Sequence, residues 1–511
     1  MSSVMVSFRG PEAPAWVLEG LRRGEIPAVC LFNYNVVSLK QLRELNLSLM
    51  AAAAAGGQPP PIIGIDQEGG QLMAVGLGAT ELPGDMALGA TRSVDLARRT
   101  GELLARELLA LGCNMNFVPV LDLATQPGSD VLGVRPFGDD PQLAGELGAA
   151  LITGLQGAGV LASGKHFPGH GDARVDSHHG APVIDAALDV LRGRELVPFA
   201  AAIGAGVAAI MSCHAVYPAF GGGVATHSRA VLVDLLRDEL GFQGLVVTDA
   251  LDMHAFGAMP GVERARLAVS AGADLALLGH LPDQPAIVRA LAAETDPASA
   301  ARVAAVRSRL PTELPPLSLV GCAEHLALAR ETAEAAVTAV RGDPRLKDRE
   351  RVLVVSVQAG ELTPAETTDP GGPRLAAQLR SRVPATVEIG LRRGADAAEV
   401  AEVVDRVVAW RAAGPGEVVV GTVNAISDPA QLTLLARLTA LGVDPVLVAL
   451  RDPNDVAVAG TTLRALCTYG RRAVQTEAAT RVLLGEIGAR GRLPVTLAGG
   501  RLVVTGGRGQ G

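Results

Sequence analysis

The sequence predicts an α/β protein: a (β/α)8 TIM-like barrel followed by a smaller doubly wound α/β sandwich domain. Three observations carry this expectation. Short apolar runs alternate with helical patterns eight times before residue 310, the runs read as continuous apolar stretches suited to strands buried on both faces, and the alternation starts again after a proline-rich connector.

In chain order, strands are expected at VMVSF near Val4, AVCLF near Ala28, PIIGID ending at Asp66, NMNFVPV near Asn114, VLASGKH ending at His166, AAIMSCH ending at His214, GLVVTD ending at Asp249 and ADLALLG near Ala273. Between them VSLKQLRELNLSLMAAAAA, SVDLARRTGELLARELLALG, PQLAGELGAALITGLQGAG, SRAVLVDLLRDELG and GVERARLAVSAG carry helical spacing, and several close on the Gly that a helix C-terminus favours. Asp66, Lys165, His166, His214 and Asp249 all stand at strand C-termini, so a barrel gathers them at one mouth.

PTELPPLSLVG is too rich in proline to be helical and reads as a connector. A helical run, CAEHLALARETAEAAVTAV, and the polar RGDPRLKDRER follow it. RVLVVSV, ATVEIG, GEVVVGTV, DPVLVAL and LRALCTYG then predict a parallel sheet with helices on both faces. The expected division is a barrel over 1–310, a linker and connecting helix over 311–350, and a sandwich domain over 351–505.

A formal net charge of -8 and a pI near 5.7 offer no basic field to a nucleic acid. Hydrophobic residues make up 49% of the chain, yet the apolar stretches are short and broken, well under the roughly 18 residues that span a bilayer. No membrane association is expected, and the N-terminus, lacking the pattern of a signal peptide, predicts cytoplasmic residence. The five cysteines are odd in number and far apart, which predicts small buried hydrophobes rather than disulfides. Neither a GxGxxG fingerprint nor a P-loop occurs, so no nucleotide cofactor is implied.

The densest chemistry lies in GKHFPGHGDARVDSHHG, residues 164–180, which holds four of the nine histidines, two aspartates and a lysine. Within it Asp176 and His178 read as a dyad whose carboxylate orients the imidazole for proton transfer; the plainer reading is a polar surface loop. His166, His170, Asp172, Asp176, His178 and His179 could instead ligate a metal. No HExxH or paired-Cys spacing supports that, and Lys165 would set a cation beside the ion, so neither metal nor cofactor is expected. Asp249, closing an apolar strand, can attack an anomeric carbon or cap the next helix. Asp66 suits hydrogen bonds to sugar hydroxyls or serves a turn, with the following Gly pair allowing close approach of a ligand. Arg135 can clamp hydroxyls or pair with Asp139 or Asp140.

IDQEGG, KHFPGHGDARVDSH, MSCHAVYPAF with THS, and LRDELGFQGLVVTDALDM, in that order over most of the first 280 residues, make the chain resemble glycoside hydrolase family 3, in particular its bacterial β-N-acetylglucosaminidases. The resemblance implies a retaining enzyme in which Asp249 is the nucleophile, His178 paired with Asp176 is the acid/base, and Asp66, Arg135, Lys165 and His166 grip the terminal sugar. It implies N-acetylglucosamine-terminated short glycans or peptidoglycan fragments as substrates, and no cofactor. A β-glucosidase or a β-glycosyl phosphorylase on the same scaffold is the alternative, with phosphate as the acceptor. A neutral imidazole lacks the charge with which a second carboxylate would repel that anion. One departure stands out: where relatives carry RVxR after IDQEGG, this chain has Gln71, Leu72, Met73 and Ala74. Aromatic residues are only 3%, which favours a short substrate over a polysaccharide needing a long stacking platform.

Overall fold

Period-two burial explains how eight short runs close into a barrel. The computed structural model describes residues 2–76, 78–129, 132–173, 180–294, 296–363, 365–367, 374–460 and 462–498. Eight strands, β1 (Val4–Val6), β2 (Ala28–Leu31), β3 (Ile62–Ile65), β4 (Met115–Asn116), β5 (Leu161–Phe167), β6 (Ala209–Ser212), β7 (Leu245–Thr248) and β8 (Ala276–Leu277), form one parallel sheet. A bridge between Val247 and Leu275 brings β7 back to β8. Met5, Ala28, Cys30, Ile62, Met115, Met211 and Val247 share the cluster inside the barrel, while their neighbours Val4, Val6, Val29, Ile63 and Val246 pack outward against helices. Gly64 belongs to the inner set because Phe117 takes its space: a Cβ there would lie 2.6 Å from the phenyl ring.

Helix starts follow their caps. Ser38, Ser93 and Asp140 accept hydrogen bonds from the first-turn amides of helices Leu39–Ala55, Val94–Leu111 and Pro141–Gly157. Losing one such cap costs about 0.5–2 kcal/mol. Strand β4 is shorter than the expected NMNFVPV because Pro119 has no N–H for a ladder; only Val120 then bridges to Lys165.

The second sheet holds β9 (Thr338–Arg341), β10 (Val352–Gln358), β11 (Val387–Arg392), β12 (Glu417–Thr422), β13 (Val446–Ala449) and β14 (Ala465–Cys467). Their order is β9-β14-β13-β12-β10-β11, parallel except for β9 on β14. Strand β9 was expected to continue the helix before it. That helix stops at Ala336, because Val337, Thr338 and Val340 are β-branched and the edge of β14 offers their backbone a ladder. Tyr469 Oη donates to Thr338 Oγ1 at 2.6 Å and fixes the pairing. The core of this sheet also takes in Met86, Ala87, Ala90 and Val134 from the barrel side, so the two sheets are joined by packed apolar surface.

The five cysteines are unpaired, and all but Cys322 are buried. Among the described residues, no helix is long and apolar enough to cross a membrane.

Candidate functional site at the barrel mouth

Charged side chains from strand ends meet around a cavity of about 160 Å³ at the mouth; its wall includes Phe32, Asp66, Arg135, Lys165, His166 and Asp249. Sequence reasoning named five of these six. A larger cavity, about 630 Å³, opens at the other end of the barrel around Gly159, Phe242, Leu245 and Val306, and sets no acid beside a base. Size therefore does not identify the site; convergent polar chemistry does.

Lys165 is 2% exposed, and its Nζ stands 2.6 Å from Asp66 Oδ1 and 2.5 Å from Glu68 Oε1. Arg135 grips Glu68 with two bonds, Nε to Oε2 at 2.9 Å and Nη2 to Oε1 at 2.8 Å. Burial alone would raise the Glu68 pKa, but the charges of Arg135 and Lys165 and their hydrogen bonds outweigh it and hold the carboxyl down at about 2. Burial likewise opposes the Lys165 charge, and Asp66 and Glu68 reverse that, raising its pKa. Two cations and two anions thus form a near-neutral lattice. Such lattices fix geometry more than they stabilise a fold, and here Asp66, 23% exposed, is the member with the most access to the cavity.

Arg135 pairs with Glu68 and with neither Asp139 nor Asp140. Asp140 is committed to capping its helix and Asp139 accepts from Thr496 N at 2.6 Å. Glu68 was missed as a functional residue, although it lies inside IDQEGG, because no local spacing ties it to residues 67 and 97 positions away. Packing requires the Gly pair after it. Gly69 and Gly70 have φ of +89° and +54°, and a Cβ on Gly70 would meet Pro83 O at 2.7 Å.

His166 is oriented by Asp122, which sequence reasoning also missed. Its Nδ1 lies 2.6 Å from Asp122 Oδ2, and Asp122 Oδ1 accepts from the backbone N–H groups of His166 at 3.2 Å and His170 at 2.6 Å. Burial pushes the Asp122 carboxyl up, and the imidazole and these donors bring it below its ordinary value. The signal was present, since Asp122 follows the fourth strand, but Pro119 and the short ladder disguise where that strand ends.

His214 sits behind Asp249. Its Nε2 is 3.0 Å from Ala250 O, an acceptor, so Nε2 carries a proton; burial lowers the imidazole pKa, which makes the ring neutral and Nδ1 an acceptor. Thr226 Oγ1 lies 2.8 Å from Nδ1 and 2.8 Å from Cys213 O, two acceptors for its one hydrogen, and Ser212 Oγ stands 2.8 Å from it. Asp249 closes β7, with its N–H on Ser212 O at 3.1 Å and Oδ1 accepting from Ala250 N at 2.7 Å. It caps no helix: the short helical turn that follows, His254–Phe256, begins after Met253. Asp176 and His178 lie outside the described residues. Among the described residues, no group of three His, Cys, Asp or Glu side chains is placed to hold a metal ion.

The altered segment after IDQEGG is clasped by the second sheet's domain. Thr367 N donates to Gln71 O at 3.0 Å, Met73 N donates to Thr367 Oγ1 at 2.8 Å, and Gln71 Nε2 donates to Ala365 O at 3.1 Å. Arg451 Nη2 then donates to Gln71 Oε1 at 2.7 Å. Ala365 and Thr367 so become part of the cavity wall, beside Leu72 and Ala74.

Comparison with known proteins bears on the family of the chain. Residues 5–306 match the model of the glycosyl hydrolase family 3 N terminal domain. The chain is 36% identical over 286 residues to the Beta-hexosaminidase of Stenotrophomonas maltophilia (strain K279a), covering 54% of this chain and 83% of the relative. It is 34% identical over 381 residues to Beta-hexosaminidase A of Pseudoalteromonas piscicida, covering 67% of this chain and 64% of that relative, so it spans somewhat less than two thirds of that protein's length. A solved glycoside hydrolase family 3 β-N-acetylglucosaminidase from Paenibacillus sp. str. FPU-7 superposes with a TM-score of 0.88 at 34% identity, covering 97% of each chain. With more than half its length matched by the family model, the chain belongs to glycoside hydrolase family 3.

Proposed function

We propose that this glycoside hydrolase is a retaining, exo-acting β-N-acetylglucosaminidase that removes terminal N-acetylglucosamine from short glycans or peptidoglycan fragments. The observation that carries the reading is the cavity. Asp249 stands on the β7 side of a space far below the roughly 300–1,000 Å³ of drug-sized sites. Asp66, Lys165, Arg135 and His166 stand on the β3–β5 side, with acceptors and donors matched to the hydroxyls of one ring. Ala365 and Thr367 wall the same space, which favours a chain terminus over an internal sugar.

In the first step an Asp249 oxygen bonds to the anomeric carbon as the bond from that carbon to the aglycone oxygen breaks. His178, oriented by Asp176, gives that oxygen its proton. In the second step His178 takes a proton from water, the water oxygen bonds to the anomeric carbon, and Asp249 leaves as the carboxylate. Two inversions give net retention. The N-acetyl preference rests on the names of the β-hexosaminidases and of the Paenibacillus enzyme, and the peptidoglycan fragment on the resemblance of the sequence motifs.

A panel of aryl β-glycosides, assayed with and without phosphate and with product stereochemistry followed by NMR, tests the proposal. We expect the N-acetylglucosaminide to be hydrolysed with retention, at a rate indifferent to phosphate. Preference for the glucoside, an inverted product, or accumulation of a sugar 1-phosphate would overturn it.

A further inference from the structure

The chain has two Trp, three Tyr and nine Phe. Only Trp16, Phe32, Tyr34, Phe220 and Trp410 escape full burial. Trp16 packs on the barrel core and Trp410 lies under Arg351 in the second domain. Phe32 and Tyr34, by contrast, stand together where β2 leaves the barrel. Their rings are stacked, with centroids 5.3 Å apart and planes at 18°. The exposed His280, just past β8, closes a triangle with them, 5.3 Å from Phe32 and 5.1 Å from Tyr34. Arg9, past β1, lies 5.8 Å from the Tyr34 ring centre. Asp252, past β7, presses its carboxylate against the Cα of Gly279, where a Cβ would fall 1.9 Å from Oδ1. Phe32 and Asn33 also line the sugar cavity, so this rim is continuous with it.

The direction of the substrate follows from the order of strands. If the hydroxyls of the terminal ring face the lattice at β3 to β5 and its anomeric carbon faces Asp249 on β7, the aglycone leaves on the far side. That side is centred on β8 and β1, with β2 at its edge. We propose that Phe32, Tyr34 and His280 form the platform of a second, aglycone-binding subsite, and that it takes one further pyranose ring by stacking, with Asp252 placed to accept from its hydroxyls. The inference rests on Asp249 holding the anomeric carbon. Pyranose rings present an apolar C–H face, and an aromatic surface gives such a face contact at small entropic cost. The platform spans one ring, which agrees with a short substrate.

The test compares N,N'-diacetylchitobiose, which fills both subsites, with methyl β-N-acetylglucosaminide, which fills only the first. Tyr34 lies outside the cavity wall, so Tyr34→Ala should raise KM for the disaccharide about tenfold, the scale of one lost ring contact. It should leave kcat/KM for the methyl glycoside within about twofold, and Tyr34→Phe should restore the disaccharide value. Equal loss on both substrates, or no loss on either, would overturn the subsite while leaving the activity intact. An unmodified enzyme that turns over neither substrate, nor cellobiose or methyl β-glucoside in their place, would overturn the activity and the subsite together.

Discussion

Glu68→Gln isolates the part of the site that carries the most charge in the least water. The change keeps the shape of the side chain and removes the anion that Arg135 and Lys165 share, leaving Asp66 alone against two buried cations. A carboxyl held at about 2 rather than its ordinary 4.5 has been favoured by about 3 kcal/mol, the scale also expected for breaking a buried pair from one side. The sign is set by a depressed folded pKa: the contribution is complete above the unfolded pKa and is lost as pH falls from about 4.5 toward 2. Urea unfolding of the full chain at pH 7 should therefore show the variant destabilised by about 3 kcal/mol. Between pH 4.5 and 3 the gap should narrow, at a slope approaching 1.4 kcal/mol per pH unit, roughly that of one proton. A variant within about 1 kcal/mol of the parent at pH 7, or a gap that stays constant with pH, would refute the view that Glu68 is the charge holding the lattice together.

Other outcomes follow from the same geometry. Asp249→Ala should lower kcat on every β-glycoside by on the order of 10⁴-fold or more, measured on the aryl N-acetylglucosaminide. His178→Ala should slow methyl or sugar leaving groups by about 10²–10⁴-fold and activated aryl leaving groups far less; equal loss on both would remove His178 from the acid role. Thr367→Val conserves shape but leaves Met73 N–H without its acceptor. It should cost about 1–3 kcal/mol in thermal unfolding and raise KM with kcat little changed.

The barrel was legible because burial on both faces writes strands as apolar runs, and because Asp66 and Asp249 follow the ends of two of them while Lys165 and His166 lie near the end of a third. The motif resemblance reached the same residues independently. What escaped was what only folding brings together. Glu68 and Asp122 sit in plain view in IDQEGG and VPVLDLA, yet their partners lie 44 to 97 residues away and no periodicity links them. The run ending in AAVTAV was read as helix to its end, because its spacing is helical and the competing ladder comes from β14, more than a hundred residues later. Where relatives carry RVxR, Gln71 and Met73 instead make hydrogen bonds with Ala365 and Thr367, each 294 positions away, a pairing no local pattern announces.

That clasp bears on modularity. A barrel carrying Asp249 and the charged lattice would ordinarily be regarded as a transplantable unit, with the sandwich as an accessory to be trimmed or exchanged. Here the accessory supplies wall residues of the mouth cavity and donates the Arg451 bond that holds Gln71. Cutting at the connector would therefore unroof the site as well as shorten the chain. Recombining this barrel with another sandwich is a change of binding pocket, to be judged by which side chains the incoming domain presents where Ala365 and Thr367 now stand.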